Sequence, residues 1–217
     1  MAISKANFNS FNVTPTASKF ITFNSSNNGL AADDVGGSLV LISTQTASSS
    51  SSLSFTSGID STYKEYIFKF INLHPATNSA HFTFNMSVDG GSNYNVTKTT
   101  TAFHTYHGES GSGGQALAYQ SSRDLAQSTD YQELIRNMGN QNDEGISGFL
   151  HLFDPSNTTF VKNFIGKSVS TNDDGGAYIY TLDTGGYANT TSAINAVDFK
   201  ASTGNIDSGV IKLYGVN

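Results

Sequence analysis

The sequence predicts an all-β protein: an antiparallel β-sandwich, jelly-roll-like, with about ten strands and at most one short helix. From residue 36 onward, apolar runs of about five to ten residues alternate with Gly, Asn, Asp, Ser or Pro, the pattern of short strands and turns. The chain has 15 Phe and 10 Tyr but no Trp, so Phe, Ile, Leu and Val are expected to build the core. Its 217 residues suit one domain of this class.

Residues 1–36 differ from the rest and are predicted to form an N-terminal arm. They mix short apolar pairs with polar residues and contain one strand candidate, residues 19–23. An arm that cannot build its own core either lies along its own domain or crosses to a neighbouring copy, and the sequence leaves both possibilities open. The arm is therefore a candidate docking segment, and residues 37–217 are predicted to form a single β-sandwich domain.

Each predicted strand is a run rich in β-branched or aromatic residues that ends at a turn residue. In chain order the strands cover residues 38–46, 52–56, 63–73, 80–88, 96–106, 146–153, 160–169, 177–182, 193–201 and 210–216. One face of the strand at 80–88 carries Phe82, Phe84, Met86 and Val88. Polar residues occupy its other face, so this strand is predicted to be half-buried. Residues 66–71 are apolar on nearly both faces, which suits a central strand or an outer face in a subunit contact.

The C-terminal segment is predicted to be a β-hairpin. Its arms are residues 197–202 and 210–216, and glycines bracket the link between them. Between Asp124 and Asn137, Leu125, Leu134 and Ile135 are separated by polar residues, which predicts a short helix or an irregular excursion ended by Gly139. The polar segments 108–114 and 137–145 are predicted to be exposed loops, where a β scaffold would place a binding function.

Composition excludes several classes of protein. A formal net charge of -6 and a pI near 5.1 argue against nucleic-acid binding, which needs a basic face. No run approaches the roughly 18 apolar residues of a membrane helix, and residues 1–7 lack the apolar core of a secretory signal. With no cysteine, disulfides and thiolate metal sites are excluded, which is compatible with synthesis in a reducing cytoplasm.

The titratable residues show no catalytic or metal-binding pattern. His104 and His107 would point to opposite faces of a strand, so they are predicted to be exposed residues at a strand end and not ligands of one metal. The other histidines stand alone: His74, His81 and His151. The Asp-Gly-Gly sequences at 89–91 and 174–176 lack the spacing of an EF-hand and are predicted to be turns. No catalytic, cofactor-binding or metal-binding residue is predicted.

Carboxylates and tyrosines leave two further possibilities. Glycoside hydrolysis needs a pair of carboxylates across a cleft, and nothing marks a pair among Glu65, Glu133, Asp154 and Asp198. No nucleophile elbow or phosphate-binding loop is present either, so the protein is predicted not to be an enzyme.

Tyrosines predicted to be exposed would stack on sugars or form an oligomer interface. They are Tyr94, Tyr106, Tyr119, Tyr131, Tyr178, Tyr180 and Tyr187.

Four segments carry a resemblance to a known group of proteins: residues 41–46, 54–63, 70–77 and 204–216. The last is the most specific, and it reads Gly-Asn-Ile-Asp-Ser-Gly-Val-Ile-Lys-Leu-Tyr-Gly-Val. Over residues 38–217 the chain resembles a loosely defined group of marine, cyanophage-like bacteriophage virion structural proteins. The first thirty-odd residues lie outside the resemblance.

The resemblance implies a non-enzymatic structural protein displayed on the particle surface, as a head decoration or as part of a fibre or tail appendage. Its implied partners are other copies of itself, with a trimer as the expected homo-oligomer, and other virion proteins. It implies location in the virion after assembly in the host bacterial cytoplasm. No cofactor is expected, and the charge and apolar runs described above predict no nucleic-acid or membrane partner. A carbohydrate- or receptor-binding module of a tail fibre is the alternative, because such a module would have the same composition. Its partners would be host surface glycans. A polysaccharide-degrading enzyme is a further alternative.

Overall fold

The computed structural model describes residues 19–23, 30–34, 38–111, 114–173 and 177–217. The chain divides into two units, Met1–Ser38 and Leu39–Asn217. In the first unit, β1 (Lys19–Phe23) and β2 (Leu30–Asp34) form an antiparallel pair. The strand candidate at 19–23 corresponds to β1, whereas β2 was not predicted, because its two Asp residues disfavour a strand assignment. The docking role of the arm stays a prediction.

The second unit consists of two antiparallel sheets, which confirms the predicted all-β sandwich. In chain order its strands are β3 (Leu39–Thr46), β4 (Leu53–Phe55), β5 (Glu65–Pro75), β6 (Ala80–Ser87), β7 (Lys98–Gly108), β8 (Gln115–Tyr119), β9 (Gln132–Met138), β10 (Ile146–Phe153), β11 (Lys162–Asp173), β12 (Ala177–Ala188), β13 (Ala196–Ala201) and β14 (Ile206–Val216). The larger sheet has the order β3-β14-β5-β10-β11-β12-β7-β8, and the smaller sheet has the order β4-β13-β6-β9. The jelly-roll connectivity is a separate matter and stays a prediction.

Every strand predicted between residues 38 and 216 overlaps an observed strand, but β8 and β9 were missed. The helical alternative for residues 124–137 is wrong, because residues 132–138 form β9. A 3₁₀ turn at Ser121–Arg123 is the helical element among the described residues. The register between β6 and β9 shifts next to Phe82, and the adjacent Leu134 and Ile135 are both buried. The irregularity interrupts the alternation of buried and exposed residues along β9. The apolar residues therefore have a spacing that resembles that of a helix.

The predicted C-terminal hairpin is also wrong. β13 pairs with β4 and β6 in the smaller sheet, whereas β14 pairs with β3 and β5 in the larger one. The four residues between them, 202–205, therefore cross from one sheet to the other. Two apolar runs joined by glycines are compatible with a hairpin and with such a crossing, and only the partners of each strand distinguish the two.

Strand β6 is buried on both faces, so its predicted half-burial is wrong. Phe82, Phe84 and Met86 are buried in the core as expected, but the polar Asn85 and Ser87 are also fully buried. The Asn85 amide Nδ2 donates hydrogen bonds to the backbone carbonyls of Tyr94 and Thr129, at 2.7 and 2.9 Å. These two segments cover the outer face of β6 and satisfy its polar groups.

The hydrophobic core lies between the sheets and is dominated by phenylalanine. Phe199 on β13 is fully buried and its ring contacts rings from both sheets. The partner rings, with centroid distances, are Phe68 at 5.2 Å, Phe70 at 5.3 Å, Phe82 at 5.8 Å, Phe55 at 6.1 Å and Phe84 at 6.3 Å. Strand β5 lies between β14 and β10, as a central strand, while Ile71 on its outer face is exposed.

Candidate functional site

A cavity of about 600 Å³ lies where several strands of the larger sheet begin or end. The pairing registers bring together the end of β5, the start of β10, the end of β11 and the start of β12. The segment between β9 and β10, part of the predicted loop at 137–145, contributes residues 142–145 to its wall. We call this cavity the rim cavity. It is one of the places where sequence reasoning expected a binding loop.

The loop at the rim cavity is fixed by its own hydrogen bonds. The Gln141 backbone N–H donates to the Glu144 carboxylate at 2.8 Å, and the Glu144 N–H donates to the Gln141 carbonyl at 3.0 Å. That carbonyl also lies 2.8 Å from His74 Nε2, which donates to it. The Thr171 hydroxyl donates to the Asp143 carbonyl at 2.9 Å. The loop is thus attached to both β5 and β11.

The lining of the rim cavity is rich in hydrogen-bonding groups. Asp143, Glu144 and Asp207 bring carboxylates to it, and Asn72 and Ser147 bring an amide and a hydroxyl. Carboxylate and amide groups that accept and donate in several directions suit a ligand that carries many hydroxyl groups. Among the described residues, no phenylalanine or tyrosine lines this cavity, and His74 is the aromatic ring that reaches it.

A second concavity, of about 320 Å³, lies on the outer face of the larger sheet. Phe103, Phe149 and Ile165 form its apolar walls. Gly185 contributes to the floor, because a Cβ atom at this position would meet nothing within 4 Å. The ion pair between Lys167 and Asp183, at 3.1 Å, lies along it. This groove is apolar and differs in chemistry from the rim cavity.

The four candidate carboxylates are each engaged by a different partner. These contacts are Glu65 with His151 at 2.5 Å, Glu133 with Arg123 at 2.5 Å, Asp154 with Lys64 at 2.9 Å, and Asp198 with Ser54 at 2.5 Å and Tyr131 at 3.0 Å. The structure therefore assigns them to separate local contacts, and an acid–base pair across a cleft is not among those contacts.

The histidines lie in different environments. His104 is buried and its Nδ1 is hydrogen-bonded to the Tyr180 hydroxyl, so its predicted exposure is wrong, whereas His107 is exposed. Burial, and then the positive charges of Arg136 and Arg123, lower the pKa of His104. Burial also lowers the pKa of His81, which accepts a hydrogen bond from the Asn137 N–H at 3.1 Å. Among the described residues, no group of three or more His, Cys, Asp or Glu is arranged to hold a metal ion.

The tyrosines do not form one exposed surface, which corrects the expectation for most of them. Tyr119 is 62% exposed, but Tyr180 is buried. The remaining five are half-buried: Tyr94, Tyr106, Tyr131, Tyr178 and Tyr187. Tyr106 packs edge-on against Tyr178 at 5.8 Å, and the rings of His104 and Tyr180 lie 4.9 Å apart. These side chains contribute to packing more than to a binding face.

The first Asp-Gly-Gly sequence is a turn. The Asp89 carboxylate accepts hydrogen bonds from the Ser87 hydroxyl at 2.6 Å and from the Asn93 side-chain amide and backbone N–H at 2.7 and 2.9 Å. These bonds lower the pKa of Asp89 to about 2, the Ser87 bond most strongly. Gly90 and Gly91 both have positive φ angles, which a side chain would disfavour. The second sequence, at 174–176, lies outside the described residues.

Two buried lysines were not predicted. Lys98 on β7 and Lys162 on β11 are fully buried, and both lie opposite Ala188 on the intervening strand β12. The Lys98 Nζ donates to the Asn85 side-chain oxygen at 2.6 Å and to the Val96 carbonyl at 2.8 Å. The Lys162 Nζ donates to two backbone carbonyls, at 2.7 and 3.1 Å. Nothing in the sequence distinguishes these lysines from exposed ones, because their burial depends on strand partners.

Burial of Lys98 makes stability depend on pH. It lowers the pKa of Lys98 to about 8, although the nearby Asp130 opposes the shift. The unfolded chain, with an ordinary lysine pKa of 10.5, binds more protons between these values. The free energy of unfolding is therefore highest, with respect to Lys98, above pH 10.5. It decreases by roughly 3 kcal/mol as pH falls from 10.5 through 8. Thermal unfolding between pH 7.5 and 9.5 should show stability rising with pH.

The matched variants are Lys98→Met and Lys64→Met. Lys98→Met should weaken the alkaline rise, whereas Lys64→Met should keep it, because the Lys64 side chain is 78% exposed. Lys162 adds a rise of the same sign, since burial lowers its pKa too. Measurements above pH 10 are avoided because burial raises the pKa of Tyr180 to about 12, which opposes the rise. A rise of the same size in both variants would contradict the assignment to Lys98.

Comparisons with models of protein families, with curated proteins and with solved structures find no match to this chain. Among the described residues, no helix has the length and apolar character to cross a bilayer. The strand arrangement, the surfaces and the sequence resemblance are therefore the features that bear on its function.

Proposed function

We propose that the protein is a non-enzymatic structural component on the surface of a bacteriophage particle, either a head decoration or part of a fibre or tail appendage. The observation that carries this proposal is the order of the strands in the two sheets. Jelly rolls are built from eight strands in two sheets and occur in virus capsid proteins and in lectins.

The strand order supports a jelly roll with two insertions. Lettered B to I in chain order, the strands β3, β4, β5, β6, β9, β10, β13 and β14 give sheets that read B-I-D-G and C-H-E-F. This order matches that of a jelly roll: consecutive strands lie in opposite sheets, except for E and F, which share one sheet. The hairpins β7–β8 and β11–β12 are then insertions that extend the first sheet. Together with the resemblance of residues 38–217, this order favours a capsid or appendage protein.

The chemistry of the described residues is consistent with a structural role. The candidate carboxylates, the buried lysines and four of the five histidines are engaged in local contacts that stabilise the fold; those histidines are His74, His81, His104 and His151. The larger sheet also exposes apolar side chains on its outer face, including Phe103, Ile165 and Ile179. Exposed apolar sheet faces of this kind are typical of subunit contacts.

The proposal is tested on particles. Phage particles from cells that produce the chain are purified, and the copy number of the chain is measured by quantitative mass spectrometry. Antibodies against the purified protein are then applied for immunogold electron microscopy. Many copies per particle and labelling of the head or of an appendage are expected. Absence of the chain from purified particles would overturn the proposal.

A carbohydrate-binding role is the second candidate, and the polar rim cavity favours it. If host glycans bind there, Asp143→Ala should weaken binding by about tenfold or more, because a hydrogen bond to a carboxylate contributes about 1.5–3 kcal/mol. The Asp143 carbonyl that anchors the loop is unchanged by this substitution. The measurement is a glycan array followed by calorimetry.

The matched control is Glu109→Ala, which removes an exposed carboxylate outside the rim cavity. It should leave glycan binding unchanged. No signal on the array, or equal losses in Asp143→Ala and Glu109→Ala, would count against sugar binding at the rim cavity.

A further inference from the structure

Strand β8 forms one end of the larger sheet and pairs with β7 alone. Its other side is a row of backbone N–H and C=O groups without a strand partner among the described residues. Such an edge is a template for pairing with another strand. A strand partner at the edge of β8 is a property beyond the proposed function and does not depend on it.

The register shows which backbone groups of β8 point outward. The Gln120 N–H donates to the Ala102 carbonyl at 2.9 Å, and the Gly108 N–H donates to the Gly114 carbonyl at 3.0 Å. In an antiparallel pair, hydrogen-bonded positions alternate along the strand, so the even-numbered residues of β8 bond to β7. The backbone groups of Gln115, Leu117 and Tyr119 therefore face the free edge. The Tyr119 carbonyl also accepts a bond from the Gln120 side chain at 3.2 Å and keeps a second lone pair.

The side chains of β8 do nothing to block pairing. The strand reads Gln-Ala-Leu-Ala-Tyr and contains no charge and no proline. Natural sheet edges are normally protected by Lys, Pro, bulges or a covering segment. Here Leu117 is 71% exposed and Tyr119 is 62% exposed, both on the outer face of the sheet. An unprotected edge with exposed apolar side chains is the surface that a strand partner would cover.

We infer that β8 pairs antiparallel with β8 of a second copy of this chain, about a two-fold axis that passes through Leu117. The outward residues 115, 117 and 119 are centred on Leu117, so this register pairs all of their backbone groups. Leu117 lies opposite Leu117 of the second copy, and the two flanking alanines lie opposite each other. Gln115 lies opposite Tyr119, which brings an amide next to an aromatic ring.

The symmetry of the strand favours a second copy over an unrelated partner. A two-fold contact requires a surface that is complementary to itself. The sequence Ala116-Leu117-Ala118 reads the same in both directions, and the set of outward groups has the same centre. The absence of charge also removes the repulsion that two identical charged strands would feel. The two larger sheets would join into one continuous sheet across the axis.

The experiment measures the mass of the full chain by analytical ultracentrifugation at about 100 µM, where contacts of modest affinity are populated. The wild-type protein should sediment at twice 23.0 kDa or a larger even multiple. Leu117→Lys and Leu117→Glu should each raise the dissociation constant at least about tenfold and halve the mass, because like charges would face each other on the axis. An equimolar mixture of the two variants should restore the wild-type mass, since Lys then lies opposite Glu.

The matched control is Phe160→Lys, which changes a residue that is 68% exposed and lies outside β8. It should keep the wild-type mass, and circular dichroism should show that all the variants are folded. A wild-type monomer, or a mass that Leu117→Lys does not change, would overturn the inference. So would two monomeric variants that stay monomeric when mixed.

Discussion

Phe199→Ala is expected to lower the free energy of unfolding by about 3–5 kcal/mol, the range for removal of a buried aromatic ring. Phe199 is fully buried and contacts five other phenylalanine rings. Two of these rings, Phe68 and Phe70, belong to the opposite sheet. The cavity left by the substitution would therefore lie between the sheets, where neither sheet can close it alone. Urea denaturation followed by circular dichroism measures the loss.

Phe160→Ala is the control for this prediction. Phe160 is 68% exposed, so its substitution should change the free energy of unfolding by less than about 0.5 kcal/mol. If Phe199→Ala cost no more than Phe160→Ala, the central position of Phe199 in the core would be incorrect.

Gly209→Ala is expected to cost about 2–6 kcal/mol. Gly209 has a φ angle of +109°, and a Cβ atom there would lie 2.4 Å from the Asn72 carbonyl oxygen and 2.6 Å from the Leu73 Cα. A side chain would therefore meet both backbone strain, of about 1–3 kcal/mol, and overpacking, of about 1–3 kcal/mol. The register between β14 and β5 shifts at this position, so the glycine allows the two strands to stay paired around the irregularity.

Gly185→Ala tests whether the cost at Gly209 comes from these two causes. Gly185 is also a strand glycine, but its φ angle is not in the positive range and a Cβ atom would meet nothing within 4 Å. Its substitution should stay within about 0.5 kcal/mol of wild type in the same denaturation experiment. Equal losses at the two positions would show that the strain assigned to Gly209 is wrong.

Local patterns in the sequence predicted strands well and their partners poorly. Strand β10 was predicted at 146–153 and occupies Ile146–Phe153. Alternation and turn residues are local, and they are sufficient for an element of this kind. The assignment of β13 and β14 to opposite sheets is not local, because it depends on contacts with β4, β6, β3 and β5, which lie far away along the chain. The hairpin prediction failed for this reason.

The candidate sites show the same limit. The loop at 137–145 was expected to be a place for binding, and part of it lines the rim cavity. The histidine and aspartate residues that join it there, His74 and Asp207, come from β5 and β14, and only the strand order brings them together. Exposure was equally non-local: Tyr180 was expected at the surface and is buried against His104. Burial of a polar side chain is decided by its neighbours across the sheet.

The two buried lysines make the opening of the sheet accessible to chemical labelling. An amine-reactive reagent attacks neutral, solvent-accessible amines, so Lys98 and Lys162 should react only when β7 or β11 separates from its surroundings. Exposed lysines such as Lys64 should be labelled before Lys98 and Lys162. The later labelling rates at Lys98 and Lys162, read by peptide mass spectrometry, would report the opening of β7 and of β11 separately, without a denaturant and without a mutation.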